Sequence, residues 1–326
     1  MTVLTFGELL LRLSPPGEER LLDSPVLHTF FGGAEANVAV ALRHLGVPSS
    51  YITRLPEGPL GDAGLDALRR EGVVVDRVLR AEGGSRLGLY FVEPGADLRA
   101  MRVVYDRAGS AFSQITPAEV DWGAALAHAK WLHGTGITPA LGDGPARALS
   151  DGFAAAGERG VTVSLDLNYR EALWRGRDPR PVLERLARQA NVLIGNREAV
   201  RAMLGAEASG DALASALADR FGCRAVAITQ REILGPREHA WSAVLYDSRA
   251  GTVVRSYRHV VQVVDRVGGG DSFTAGLIAA LLADRSPQDA VEFAAAAGAL
   301  KLGQAGDFGR STTPEVSRLV ETVRCT

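Results

Sequence analysis

Short apolar, β-branched runs alternate with helix-patterned segments along most of the chain, and this alternation limits the fold more than any other feature. Residues 3–6, 51–54, 130–133, 161–166, 192–194 and 225–229 have the length and composition of buried strands. Between them, residues 35–45, 62–71, 145–156, 181–189 and 211–221 carry the helical period. The pattern predicts an α/β fold with a mostly parallel central sheet and helices on both faces. In such sheets ligands bind beyond the carboxyl ends of the strands, so motifs just after a strand carry extra weight.

Two stretches break the alternation. Residues 86–94 and 99–107 are strand-like and joined by Gly95-Ala96-Asp97, a hairpin signal. With residues 9–13 and 27–31 they are expected to make a small sheet apart from the main one. Residues 235–245 read as a long loop followed by a strand. From Asp271 onward the pattern is helical almost to the end, interrupted at Ser286-Pro287 and around 303–313.

Length and composition narrow the function classes. A chain of 326 residues with 46% hydrophobic and 23% charged residues can bury a large core, and it is expected to be one domain, 1–326, with a small appendage. The longest mainly apolar run, 273–283, is too short to cross a bilayer, and the first residues carry no basic region or cleavage site. A net charge of −2 gives no reason to expect nucleic acid or an anionic membrane as partner. Cys223 and Cys325 form no CxxC or Cys/His cluster, which fits a reducing cytoplasm. The six histidines show no ligand spacing, and no dedicated metal cage is expected. The only lysines, Lys130 and Lys301, do not sit in GxxxxGK[ST], so a Walker-type phosphate loop is excluded.

The strongest chemical signal is Asp265-Arg266-Val267-Gly268-Gly269-Gly270-Asp271-Ser272-Phe273-Thr274-Ala275-Gly276. Three glycines allow a tight turn, and the apolar run after them predicts a helix beginning at Asp271. Free amides at a helix start bind anions without any side chain. A carboxylate in the same turn would sit beside a bound phosphate, where it could take a proton from an attacking hydroxyl. An aspartate ahead of an apolar helix is also an ordinary N-cap, and the glycine string alone leaves both readings open.

The wider string resembles the carboxy-terminal signature of the PfkB carbohydrate kinases, DTxGAGDxFxAG. Asp265, Gly268, Gly270, Asp271, Phe273, Ala275 and Gly276 stand at matching places, with Gly269 for the usual Ala. Near the other end of the chain, Gly32-Gly33-Ala34-Glu35-Ala36-Asn37-Val38-Ala39 matches the family's GGxxxNxA signature at the sugar site. The resemblance implies a ribokinase-like three-layer sandwich, with the small sheet (segments near 9–31 and 86–107) as a lid. It also implies ATP and Mg²⁺ as cofactors, with Mg²⁺ held largely by phosphates and water. Asp271 becomes the catalytic base, and the amides of Gly268, Gly269 and Gly270 stabilise the transferring group.

Within the family, several strings are most similar to 2-keto-3-deoxygluconate kinases. These are residues 104–111, Asp166-Leu167-Asn168-Tyr169-Arg170, and residues 241–247. That similarity implies that Gly33, Asn37, Tyr90, Tyr105, Arg107, Arg170 and Asp271 bind a sugar acid. Arginine suits the task, because a carboxylate needs a planar donor fork that lysine lacks. On the nucleotide side it implies Asn168, Arg170, Asn196, Thr229 and the loop after it with Arg231, and the glycine turn.

Two departures from the family pattern stand out. The usual TxGxxG after Thr229 is replaced by Thr229-Gln230-Arg231-Glu232-Ile233-Leu234-Gly235-Pro236. The NxxE motif would start at Asn196, yet Ala199 stands at its acidic position and Glu198 is one residue early. One residue rotates a helical side chain by about 100°, so Glu198 is expected to point away from the phosphates. The reading is therefore an ATP-dependent kinase of 2-keto-3-deoxy-sugar acids. Its rivals are a neutral-sugar kinase, such as one for fructose, and a non-catalytic sugar or nucleotide sensor on the same fold. Open edges of the lid sheet are expected to pair with a second copy.

Overall fold

A computed structural model describes residues 2–96, 99–207 and 211–325. The first strands are β1 (Thr2–Phe6), β2 (Leu10–Ser14), β3 (His28–Gly32), β4 (Ser49–Ile52), β5 (Arg54–Pro56) and β6 (Leu79–Ala81). Then follow β7 (Gly88–Glu93), β8 (Arg102–Asp106), β9 (Ala129–Thr135), β10 (Thr162–Asp166) and β11 (Val192–Asn196). The last are β12 (Ala225–Ile233), β13 (Glu238–Asp247), β14 (Thr252–Arg255) and β15 (His259–Gln262). The helices begin with α1 (Ala34–His44), α2 (Pro59–Arg70), α3 (Trp122–Leu126), α4 (Ile137–Ala140), α5 (Asp143–Glu158) and α6 (Glu171–Trp174). They continue with α7 (Arg180–Gln189), α8 (Arg197–Leu204), α9 (Ala212–Phe221), α10 (Gly269–Leu282), α11 (Pro287–Leu302) and α12 (Thr313–Arg324).

Six parallel strands, in the order β4-β1-β9-β10-β11-β12, form the body of the main sheet. Antiparallel β13 extends it and pairs in turn with β14 and β15. Successive strand residues point to opposite faces, and each face is covered by helices. Leu4, Leu132, Leu165 and Leu193 pack under α3, α5, α7, α8 and α9. Val3, Trp131, Val192 and Ile194 pack under α1, α10, α11 and α12. The result is three layers, with every parallel strand ending at one rim.

The small sheet has the order β3-β2-β7-β8 and stands apart from the main one. One face, with Leu9, Leu11 and Phe31, packs on α1 residues Ala36 and Val40. The other carries Leu10, Tyr90, Val92, Val103 and Tyr105. β7 and β8 are the expected hairpin; Asp97 of its connection lies outside the described residues.

Three expectations need correction. Residues 235–245 hold the expected strand but not the expected long loop: β12 continues past Thr229 to Ile233 and folds back tightly into β13, which already begins at Glu238. The polar run Gln230-Arg231-Glu232 imitates a loop, but its backbone groups pair with Ser242, Trp241 and Ala240. Helix α10 begins at Gly269, not at Asp271, which places Asp271 within the first turn. The third concerns Glu198. Asn196 caps α8 by accepting from the Ala199 amide (2.8 Å), so Ala199 turns into the core while Glu198 faces the rim cavity.

Candidate active site

A cavity of about 810 Å³ opens along the carboxyl rim of β9–β12, bounded above by the small sheet. Every residue assigned a role from the sequence lines it: Gly33, Asn37, Tyr90, Tyr105, Arg107, Asn168, Arg170, Asn196, Thr229, Arg231, Gly268, Gly269, Gly270 and Asp271.

Asp271 lies where the two halves meet. It is buried, and its Oδ2 accepts from Asn37 Nδ2 at 2.7 Å while Oδ1 accepts from Asn168 Nδ2 at 3.4 Å. Burial pushes its carboxyl above the ordinary value, against the pull of Asn37, Arg170, Asn168 and Lys301. Two further buried acids share the neighbourhood. Asp166, at the end of β10, is raised to about 7 by burial and then by the charge of Asp271. Glu35 is raised to about 7 by burial, although Thr135 and Thr138 donate to it at 2.7 and 3.1 Å. Asn168 spans two of these acids, since its side-chain amide also lies 3.4 Å from Asp166 Oδ2. Its backbone is left-handed (φ 39°), and its own N–H donates to Asp166 Oδ1 at 3.0 Å. Asparagine tolerates that conformation better than most side chains.

The end of the cavity beside the glycine turn is made of backbone. Gly268 has φ 84°, and a Cβ there would collide with the Asp307 carbonyl, so only glycine fits. Ser272 N already bonds Gly268 O at 2.9 Å, which leaves the amides of Gly269, Gly270 and Asp271 with no preceding helical carbonyl. They point, with the positive end of α10, to the open space beside Gly270. Arg197, Arg231 and Arg266 line the same half, Arg170 stands near Asp271 and Asp166, and no carboxylate forms an ion pair with any of the four among the described residues. Desolvation, then crowding by Arg266 and Arg170, lowers Arg231. Thr229 is occupied with the Gly195 carbonyl (3.3 Å), and Asn196 Oδ1 is spent on its cap.

The end beneath the small sheet is made of side chains. Tyr90 and Tyr105 are cross-strand partners with stacked rings 5.9 Å apart. Gly33 caps α1, and any side chain there would strike the Glu8 carbonyl. Arg107 is not the free fork that the sequence reading expected. Its Nε donates to Glu8 Oε2 at 2.7 Å and its Nη2 bonds the same oxygen, with Ser110 on the other. Glu8 thus neutralises much of Arg107, while Arg170 keeps an unpaired charge.

The sequence reading gave no role to Glu8, Glu35, Asp166, Arg197, Arg266 or Asp307, all of which line the cavity. Arg266 was visible as a departure, since the family signature has threonine there. Asp307 sits in an irregular glycine-rich segment with no local signal.

A family model described as pfkB family carbohydrate kinase matches residues 2–313. The chain belongs to the PfkB family. Its match to 2-dehydro-3-deoxygalactonokinase of Haloferax volcanii is 34% identical and covers 98% of this chain and 96% of the relative. With 2-dehydro-3-deoxygluconokinase of Bacillus subtilis it is 30% identical over 97% of this chain and 94% of the relative. The solved structure of 2-dehydro-3-deoxygluconokinase from Thermotoga maritima superposes with a TM-score of 0.95, at 40% identity and 98% coverage of both chains. The fold of this PfkB protein is therefore the ribokinase-like α/β sandwich with a separate small sheet.

Proposed function

We propose that this carbohydrate kinase transfers the γ-phosphoryl group of ATP to the terminal (C6) hydroxyl of 2-keto-3-deoxy-D-gluconate, also named 2-dehydro-3-deoxygluconate. The observation that carries the proposal is the position of Asp271, between a sugar pocket of tyrosines and arginines and a turn of free amides. The sugar hydroxyl attacks the γ-phosphorus as its proton passes to Asp271; the bond to the β-phosphate oxygen breaks and ADP leaves. Asn37 and Asn168 hold the carboxylate in place, and the amides of 269–271 receive charge on the transferring oxygens. Arg231, Arg266 and Arg197 suit the remaining phosphates, and Arg170 suits the C1 carboxylate, with Arg107 in support.

No group of three His, Cys, Asp or Glu side chains converges as metal ligands among the described residues. Glu198 lines the cavity, which suits Mg²⁺ carried on the phosphates with Glu198 and water beside it; when bound, the ion would neutralise phosphate charge. The small sheet serves as a lid that excludes water, and its outer strands β3 and β8, each paired on one side only, suit association with a second copy. Among the described residues no helix is long and apolar enough to cross a membrane, and both cysteines are unpaired, which suits a reducing cytoplasm.

A coupled ADP-release assay tests the substrate. Arg170 carries no carboxylate partner and offers a planar fork that a neutral sugar cannot use, so kcat/KM for the acid should exceed that for fructose by about 10³-fold or more. Arg170→Lys should erode the preference by replacing a fork with a point charge. Equal turnover of fructose would sink the acid assignment. The galactonate-derived C4 epimer is a second reading, favoured by the Haloferax relative, and belongs in the same assay.

A further inference from the structure

Behind the glycine turn lies a set of buried charges that the transfer reaction leaves unused. Arg12 sits in the middle of β2, between Leu11 and Leu13, with a side chain 5% exposed. Its Nη1 donates to Asp265 Oδ2 at 2.7 Å and to Asp307 Oδ1 at 3.2 Å. Tyr90, its neighbour across β2 and β7, donates its hydroxyl to the other oxygen of Asp307. Two adjacent strands of the small sheet thus grip the same carboxylate of the main body.

Those two aspartates also build the phosphate end. Asp265 Oδ1 accepts from the Val267 amide at 3.0 Å, which shapes the entry to the glycine turn, and its Oδ2 accepts from the Gly306 amide at 3.1 Å. The Asp307 carbonyl fills the space beside Gly268, and the buried stem of Lys301 packs against the same glycine. Lys301 Nζ donates to the Gln304 carbonyl at 3.0 Å, tying down the segment that carries Asp307. Removing three charged groups from water is costly, and such a group contributes more to a defined geometry than to stability. Here the geometry it defines joins the small sheet to the turn.

We propose that Arg12 is a positioning residue in a latch through which closure of the small sheet over the sugar organises the glycine turn for the nucleotide. The latch rests on the proposed placing of sugar and nucleotide at the two ends of the cavity. With the sheet down, one guanidinium holds Asp265 and Asp307 together. With the sheet lifted, both lose their partner, and the turn loses a constraint. Each substrate then favours the same closed state, so each tightens the binding of the other by the same factor.

The first test needs neither a variant nor the sugar. Hydrogen exchange is followed in the wild-type protein with the Mg²⁺ complex of the imido analogue of ATP. The nucleotide alone should slow exchange in peptides covering 10–14 and 88–93 as well as 265–271. Protection confined to 265–271 would overturn the latch. The second test is calorimetric titration of the same analogue with and without 2-keto-3-deoxygluconate. The sugar should tighten nucleotide binding by about tenfold in wild type, within the usual range of coupling between sites. In Arg12→Gln, which keeps a donor beside both carboxylates, the factor should fall to about twofold or less. Equal factors in the two proteins would also overturn it. If the sugar acid fails to bind wild type at all, the substrate assignment fails, and the exchange result alone decides the latch.

Discussion

The proposed phosphate end and the proposed sugar end of the cavity are built to hold a charged group with different materials. At the phosphate end the donors are consecutive amides of one turn, supplied by a glycine whose φ of 84° no other residue adopts comfortably. At the sugar end Arg107 follows β8, its partner Glu8 follows β1, and the tyrosines come from β7 and β8. A site made from one turn is specified by a short string of residue types. A site made from side chains of several elements exists only once those elements have packed. The contrast also separates function from stability, because local amides are satisfied by ligand or water, whereas buried side-chain charges must be paired.

The largest expected effect comes from the residue shared by both ends. Asp271→Asn keeps the size of the side chain and one acceptor for Asn37 or Asn168 but removes the proton acceptor, so kcat should fall by about 10²-fold or more. Steady-state turnover near the wild-type rate would reduce Asp271 to a structural acceptor for Asn37 and Asn168 and leave the two ends without a common centre.

A smaller effect separates activity from stability through pH. Glu35 rises from 4.5 to about 7 in the fold and Asp166 from 3.8 to about 7, both chiefly by burial. The folded protein therefore holds more protons than the unfolded chain across this interval. Their contribution to stability is complete below the unfolded values and is lost as pH rises through about 7. Activity runs the other way, since Asp271 must be ionised and its value is raised, so kcat/KM falls on the acid side above the ordinary aspartate range. In thermal melts of the ligand-free protein, Glu35→Gln should flatten the decline in Tm between pH 5 and pH 8 by about 2 °C. An unchanged slope would mean that Glu35 is ionised throughout.

The smallest effect concerns the phosphate end alone. Glu198 faces the cavity but is exposed to water, so its interaction with a Mg²⁺–nucleotide complex is screened and worth under about 1 kcal/mol. Glu198→Ala should raise the Mg²⁺ needed for half-maximal rate by up to about fivefold and leave the sugar KM unchanged. A shift in the sugar KM instead would show that the two ends are less separate than their construction implies.

Much of the fold was legible because it rests on local periodicity. The parallel strands, the helices between them and the hairpin of the small sheet follow from alternation of residue type. The β12–β13 hairpin was not legible, because Gln230-Arg231-Glu232 is polar and only its partners on β13 make it a strand. Glu198 was misjudged for a related reason. Its rotation about the helix was argued from the family spacing, while its actual direction follows from the Asn196 cap and the burial of Ala199.

The sequence by itself determined the family, the glycine turn and the place of the proposed base, since each depends on residues close together in the chain or on their order. Tertiary structure alone decided which charges meet. Arg12 finds Asp265 and Asp307, and Arg107 finds Glu8, across separations that carry no local signal. Close packing makes those pairings specific, because a buried charge must have a partner and only the folded arrangement of strands determines which one is within reach.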